Sequence, residues 1–93
     1  GGFYENIPRS VPDGLGVVIK EKDVRVLPIF DLIEKKGNIS RRDMFNTFNM
    51  GVGMDVIVPA EQAETALRIL KECGEDAYIV GAVKESEEKI CLI

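Results

Sequence analysis

The segment from Ala60 to Cys73 constrains the fold of this chain more than any other. Its apolar residues recur at spacings of three and four, which predicts an amphipathic helix, and they are Ala63, Ala66, Leu67, Leu70 and Cys73. Pro59 precedes this helix and Gly74 follows it, as is typical of helix boundaries. Extended apolar segments lie on both sides, so the pattern predicts a strand–helix–strand unit from Val52 to Val83. Such a unit requires a right-handed crossover if its two strands are parallel neighbours.

The remainder of the chain alternates between short helices and short strands. Segments rich in β-branched and apolar residues predict four strands, over residues 15–20, 52–58, 77–85 and 89–93. A helical turn near Phe3 is kept short by the prolines that follow it. Pro28 opens a second helix, with Gly37 as its left-handed C-cap, and Ser40 with Asp43 predicts a capping box before a third. These elements predict an α+β fold, a mixed or antiparallel sheet of about four strands with helices packed on it.

Length, charge and composition exclude several classes of protein. With 93 residues the chain forms one domain or part of one. Its net charge is -4 and it has no cluster of Lys and Arg, so we expect no nucleic-acid partner. No apolar run approaches the ~20 residues of a membrane span, so we expect no membrane partner. The chain has no His, and Cys73 and Cys91 lack metal-ligand spacing, so we expect no metal ligands. We expect the two cysteines to be reduced thiols, with a disulfide as the alternative.

Two glycine clusters are the candidate binding elements. Gly1 and Gly2 precede the first helical turn, where free backbone N–H groups can face an anion, although a flexible chain end explains them equally well. Gly51 and Gly53 lie between a predicted helix and a predicted strand, where glycine permits close backbone approach. A plain tight connection is the alternative there, because a single GxG pattern is a weak signal.

Three stretches carry a resemblance to a known family. They are GGFYENIPR at residues 1–9, DMFNTFNMGVGM at residues 43–54 and GEDAYIVGAVKE at residues 74–85. In this order and spacing the chain resembles the C-terminal end of the phosphoribosylformylglycinamidine cyclo-ligase (aminoimidazole ribonucleotide synthetase) family, over nearly all of its length. TFNMGVGM is the most specific of the motifs. The resemblance implies that residues 1–93 are a partial C-terminal domain of that superfamily, and that the N-terminal, ATP-binding half is absent.

The resemblance also implies a reaction and a setting. The family closes the ring of formylglycinamidine ribonucleotide in an ATP-dependent step of purine biosynthesis, which gives aminoimidazole ribonucleotide, ADP and phosphate. We therefore expect ATP and magnesium to serve the full-length enzyme, with neither bound to these 93 residues, which should be inactive alone. We also expect a cytoplasmic location. Because the sheet should have lost partner strands, we expect the chain to form a homo-oligomer.

Site residues follow from the resemblance position by position. In the first motif it implies phosphate- and substrate-binding roles for Gly1, Gly2, Glu5, Asn6 and Arg9. In the second it implies such roles for Thr47, Asn49, Gly51 and Gly53. Arg9 is suited to bidentate pairing with a phosphate, although an exposed Arg after a proline is as readily only solvated. No catalytic residue is identified.

Two alternatives to this assignment stay open. One is a related synthetase of the same superfamily, such as formylglycinamidine synthetase or selenophosphate synthetase. The other is a non-catalytic, ferredoxin-like interaction module, which fits the strand–helix–strand–strand order and the acidic charge. The module does not predict TFNMGVGM or ENIPR, and the sequence upstream of Gly1 would separate the synthetases.

Overall fold

A computed structural model describes residues 1–93, and it shows an α+β fold of short elements. The helices are α1 (Phe3–Asn6), α2 (Pro28–Gly37), α3 (Arg41–Thr47) and α4 (Ala63–Glu72). The strands are β1 (Leu15–Ile19), β2 (Gly81–Glu85) and β3 (Ile90–Leu92). Short 3-10 turns lie at Ile7–Ser10, Glu21–Asp23 and Ala60–Gln62. None of the helices is long and apolar enough to cross a membrane.

The sheet is mixed and has β1 at its centre. Its strand order is β2-β1-β3, with β2 antiparallel and β3 parallel to β1. The connection from β2 to β3 therefore has to pass from one edge of the sheet to the other. It does so at Gly16, where a Cβ atom would collide with the carbonyl oxygen of Glu88. Glycine at this position is thus required by the close passage of the chain over β1.

The predicted fourth strand, over residues 52–58, is absent. Residues 53–58 make no backbone hydrogen bond within the chain, and the side chains of Met54 and Val56 are 84 % and 56 % exposed. The outer edges of β2 and β3 are open, but this segment pairs with neither of them and lies beside the Gly1–Ser10 segment instead. The predicted strand–helix–strand unit from Val52 to Val83 therefore lacks its first strand. The following strand is also shorter than predicted, because β2 begins at Gly81 rather than at residue 77.

The core lies between β1 and the N-terminal part of the chain. Nine apolar residues are buried in one cluster, and they are Phe3, Ile7, Val11, Val17, Ile19, Val24, Met44, Phe45 and Met50. α2 and α4 contribute no fully buried residue. Phe30 and Ile33 of α2 pack against the cluster, whereas Ile29 is 52 % exposed. The core therefore holds α1 and α3 rigidly against the sheet, and these are the helices that flank the candidate site.

Helix boundaries agree with the sequence signals except at one position. The hydroxyl of Ser40 accepts a hydrogen bond from the backbone N–H of Asp43 at 3.1 Å, which confirms the Ser40 half of the predicted capping box, whereas the Asp43 side chain makes no return bond. Gly74, with φ 91°, ends α4 as expected. The left-handed residue after α2 is Asn38, with φ 49°, and not Gly37, which is the last helical residue. Asparagine tolerates this conformation better than most residues, so the helix continues one residue further than predicted.

Candidate ligand-binding cleft

The first residues of the chain are fixed against the end of α3. The ring of Phe3 meets the ring of Phe45 edge to face, with centroids 5.1 Å apart. Gly2 is buried, and a Cβ atom there would collide with the carbonyl oxygens of Phe45 and Asn46. Because those atoms belong to helical backbone, they cannot move aside. Gly2 is thus a glycine for reasons of packing, and this packing sets the position of Gly1.

A tight reversal follows α3. Met50 and Gly51 are consecutive left-handed residues, with φ 57° and 105°. The side-chain oxygen of Asn49 accepts a hydrogen bond from the backbone N–H of Gly51 at 2.9 Å, and the backbone N–H of Val52 donates to the carbonyl of Asn49 at 2.9 Å. Met50 is fully buried, which anchors the turn in the core. The reversal brings the following segment alongside the first residues of the chain.

A cleft of about 400 Å³ lies between these two parts of the chain. Its walls are residues of the Gly1–Ser10 segment and of the Asn49–Ile57 segment, and we call it the N-terminal cleft. Apolar side chains line part of it, and four polar side chains join them, from Asn6, Ser10, Asn49 and Asp55. A concave surface that combines apolar walls with a few convergent polar groups is typical of a small-molecule site.

The structure brings together members of both predicted motifs. Five of the nine predicted binding residues line the cleft, namely Gly1, Gly2, Asn6, Asn49 and Gly53. The other four, Glu5, Arg9, Thr47 and Gly51, are exposed residues outside its lining. The two motifs are far apart in sequence, so their meeting at one cleft is a property of the fold. A binding role for each of the nine residues stays a prediction.

The two glycines of the second motif differ in their surroundings. Gly51 has a positive φ, and a Cβ atom on it would lie 2.8 Å from Cγ of Leu27. Gly53 has no positive φ, and a Cβ atom there would meet nothing within 4 Å. The close backbone approach that was predicted for this loop thus holds at Gly51 only, and it is an approach to the start of α2.

The polar groups of the cleft have hydrogen-bonding capacity left for a ligand. Asn6 donates from Nδ2 to the carbonyl of Gly2 at 2.9 Å, which leaves its Oδ1 free to accept. Asn49 accepts at Oδ1, which leaves its Nδ2 free to donate. The side chains of Ser10 and Asp55 have no hydrogen-bond partner in the protein. The free side-chain atoms are therefore mostly acceptors.

Asp55 is the one charged side chain that lines the cleft. It has no salt-bridge partner, since every ion pair in the structure lies elsewhere. Although Asp55 remains an exposed residue, the cleft walls remove part of its water, and this desolvation raises the pKa of its carboxyl group above the usual value. The cleft thus presents an uncompensated acidic group to whatever enters it.

Ser10 and Asp55 are functional candidates that the motifs missed. The alternation of an extended segment would not have singled out Asp55, because Val52 and Met54 line the cleft as well as Gly53, Asp55 and Ile57. Ser10 had no signal in the sequence either. It reaches the cleft because the 3-10 turn Ile7–Ser10 continues directly from α1.

The N-terminal cleft does not fit magnesium with a nucleoside triphosphate, since it offers one carboxylate and no Lys or Arg side chain. No group of three or more acidic, Cys or His side chains converges in a way that would hold a metal ion. α1 has only four residues, too few for the aligned peptide dipoles that favour an anion at a helix N-terminus. A helix dipole thus contributes little to the anion site considered for Gly1 and Gly2, and anion binding there by unpaired backbone N–H groups stays a prediction.

Comparison with known proteins agrees with the resemblance carried by the motifs. Residues 1–92 match the family described as AIR synthase related protein, C-terminal domain. The chain is 51 % identical over 87 residues to a phosphoribosylformylglycinamidine cyclo-ligase of Shouchella clausii, a match that covers 94 % of the chain and 25 % of the relative. It is 48 % identical over 93 residues to a protein of the same name from Acetivibrio thermocellus, covering 98 % of the chain and 27 % of the relative.

The chain spans about a quarter of the length of these relatives. The family match, in contrast, extends over all but the last residue of the chain. Identities near one half over so much of the chain confirm the resemblance to the C-terminal part of the cyclo-ligases. The chain belongs to the family of AIR synthase related proteins, as a C-terminal domain.

Proposed function

We propose that these 93 residues serve as the C-terminal part of an ATP-dependent cyclo-ligase, which converts formylglycinamidine ribonucleotide to aminoimidazole ribonucleotide in purine biosynthesis. One observation carries the proposal beyond family membership. Residues of the two most specific motifs, ENIPR with its glycines and TFNMGVGM, line a single cleft. The names of the relatives give a cyclo-ligase of phosphoribosylformylglycinamidine, and the resemblance of the motifs implies the ATP dependence and the product.

The role of this chain in that reaction is to hold the substrate. Ring closure joins two parts of one molecule, so the rate depends on how well the attacking nitrogen is placed against the activated formyl carbon. The free polar atoms of Asn6, Ser10 and Asn49 orient the substrate, and the apolar walls of the cleft contact it. ATP and magnesium, which supply phosphoryl transfer, bind residues outside this chain, because its own donor groups do not fit them.

The proposal includes a setting. The enzyme acts in the cytoplasm, where purine biosynthesis takes place, and it acts as a homo-oligomer. Two features support self-association, namely the open edges of β2 and β3 and the unpaired backbone of residues 53–58.

A chimera tests the proposal directly. The C-terminal quarter of the Shouchella clausii relative is replaced by this chain, and formation of ADP and of aminoimidazole ribonucleotide is measured with ATP, magnesium and substrate. We expect turnover from the chimera. Two controls, the relative truncated before the replaced quarter and the 93-residue chain alone, should show only background ADP release.

Two results would contradict the proposal. A chimera that is folded by circular dichroism and melts cooperatively, but shows no turnover, would mean that this chain does not perform the part of the relative that it replaces. Turnover by the 93 residues alone would mean that the phosphoryl-transfer groups lie within this chain.

A further inference from the structure

We propose that the N-terminal cleft receives the amidine end of the substrate rather than its phosphate, and that Asp55 is the residue that selects for it. This inference rests on the proposed function, since the amidine belongs to that substrate. It assigns to Asp55 a specificity-determining role that neither motif nor resemblance gave it.

The charge of the cleft favours a cationic ligand. Asp55 lines the cleft without a cationic partner, and Arg9, the cation predicted to bind phosphate, lies outside the lining. A phosphate placed beside an unpaired carboxylate would meet like charge in a partly desolvated site. A protonated amidine is a cation, so the same carboxylate attracts it.

The hydrogen-bond acceptors of the cleft match a ligand group that donates. Asp55 offers two acceptor oxygens, and Asn6 Oδ1 and the hydroxyl of Ser10 offer two more. A phosphate group needs donors, and the cleft has some, namely Asn49 Nδ2, the Ser10 hydroxyl, the second N–H of Asn6 Nδ2 and the unpaired backbone N–H groups of residues 53–55. The unpaired charge of Asp55, rather than a lack of donors, therefore disfavours phosphate. An amidinium group is planar and presents parallel N–H donors, which match a carboxylate bidentately as a guanidinium does.

The size of the cleft agrees with a ligand of this kind. Its volume of about 400 Å³ lies near the lower end of the range of small-molecule sites, which begins at roughly 300 Å³. The desolvation that raises the pKa of Asp55 points the same way, because a bound cation would compensate the carboxylate for its lost water. Among the residues that line the cleft, the α-amine of Gly1 is the one other titratable group when the chain starts there.

The first experiment uses the chain with an acetyl group on Gly1, so that the α-amine adds no second charge. Amide chemical shifts are followed by NMR while formamidinium, the simplest amidinium, or inorganic phosphate is added. We expect formamidinium to change the amide chemical shifts of Asn6, Asn49 and Gly53 in a saturable manner. Phosphate should leave these chemical shifts unchanged. The shifts should grow as pH rises from about 4 to about 7, as Asp55 ionises.

Matched variants make this result specific. Asp55→Asn should abolish the formamidinium shifts, whereas Asp23→Asn removes an equal charge from an exposed turn outside the cleft and should leave them unchanged. Asp55→Glu keeps the charge and should retain part of the binding. Unchanged formamidinium binding by Asp55→Asn, or saturable binding of phosphate instead of formamidinium, would overturn the inference.

The second experiment uses the chimera with the Shouchella clausii relative. Asp55→Asn should raise KM for formylglycinamidine ribonucleotide about tenfold, the effect of losing one charge-assisted contact in a partly exposed site, with KM for ATP unchanged. An equal rise in both KM values would show a structural role and overturn the inference. If the parent chimera is inactive, the proposed function fails, while the formamidinium titration still decides the role of Asp55.

Discussion

Replacing Gly51 with alanine should destabilise this chain, whereas the same change at Gly53 should not. The two glycines flank Val52 in one loop, so each is a control for the other. Gly51 has φ 105°, a conformation that L-residues rarely adopt, and Gly53 has no positive φ. A Cβ atom on Gly51 would also lie 2.8 Å from Cγ of Leu27, and one on Gly53 would meet no neighbour within 4 Å.

The size of the difference follows from three contributions. An L-residue held at positive φ costs roughly 1–2 kcal/mol. Alanine in place of glycine also restricts the unfolded chain, which stabilises the folded state by about 0.4–1 kcal/mol where the native φ is compatible. The contact with Leu27 adds to the cost at Gly51 only. We therefore expect Gly51→Ala to lose about 1–2 kcal/mol and Gly53→Ala to be neutral or stabilised by up to about 1 kcal/mol.

Urea denaturation followed by circular dichroism measures both free energies of unfolding. For a domain of this size, a loss of about 1 kcal/mol also lowers Tm by roughly 4–8 °C. The double variant Gly51→Ala with Leu27→Ala separates the two costs, because it removes the side-chain contact and keeps the positive φ. Equal effects of the two single alanine variants, or a more stable Gly51→Ala, would refute the backbone argument for this loop.

Three further predictions concern other parts of the chain. The pKa of Asp55 is raised in the folded state, so the folded chain binds a proton there more tightly than the unfolded chain does. The stability of the wild type relative to Asp55→Asn should therefore fall as pH rises from the usual Asp pKa through the raised pKa. Urea denaturation across that pH range measures this difference, and a constant difference would contradict the prediction. Ser40→Ala should lose about 1 kcal/mol through the missing cap of α3, and an unchanged urea midpoint would exclude that role. The chain should be a dimer or larger by light scattering, and a monomer throughout a dilution series would show that its open edges do not pair.

Features that depend on neighbours along the chain could be predicted from the sequence. The cap at Ser40, the proline that opens α2 and the glycine that ends α4 each act within a few residues. Amphipathic spacing likewise predicted α4, because the residues that show the helical period all lie in one continuous segment. Asn38 shows the limit of this reasoning. Gly37 and Asn38 can both adopt a left-handed conformation, and in the structure Asn38 adopts it while Gly37 stays helical.

The family and the pair of binding motifs were determined by the sequence alone, because motif identity depends on residue types and their order. The pairing of strands and the composition of the cleft were decided by the tertiary structure. Residues 53–58 have the apolar character of a strand, yet a strand also needs a partner, and the fold places this segment beside Gly1–Ser10 rather than at the open edge of β2 or β3. Asp55 belongs to the cleft because the reversal at Met50 and Gly51, anchored in the core, carries it beside the N-terminal residues, and a contact between such distant segments exists only in the folded chain.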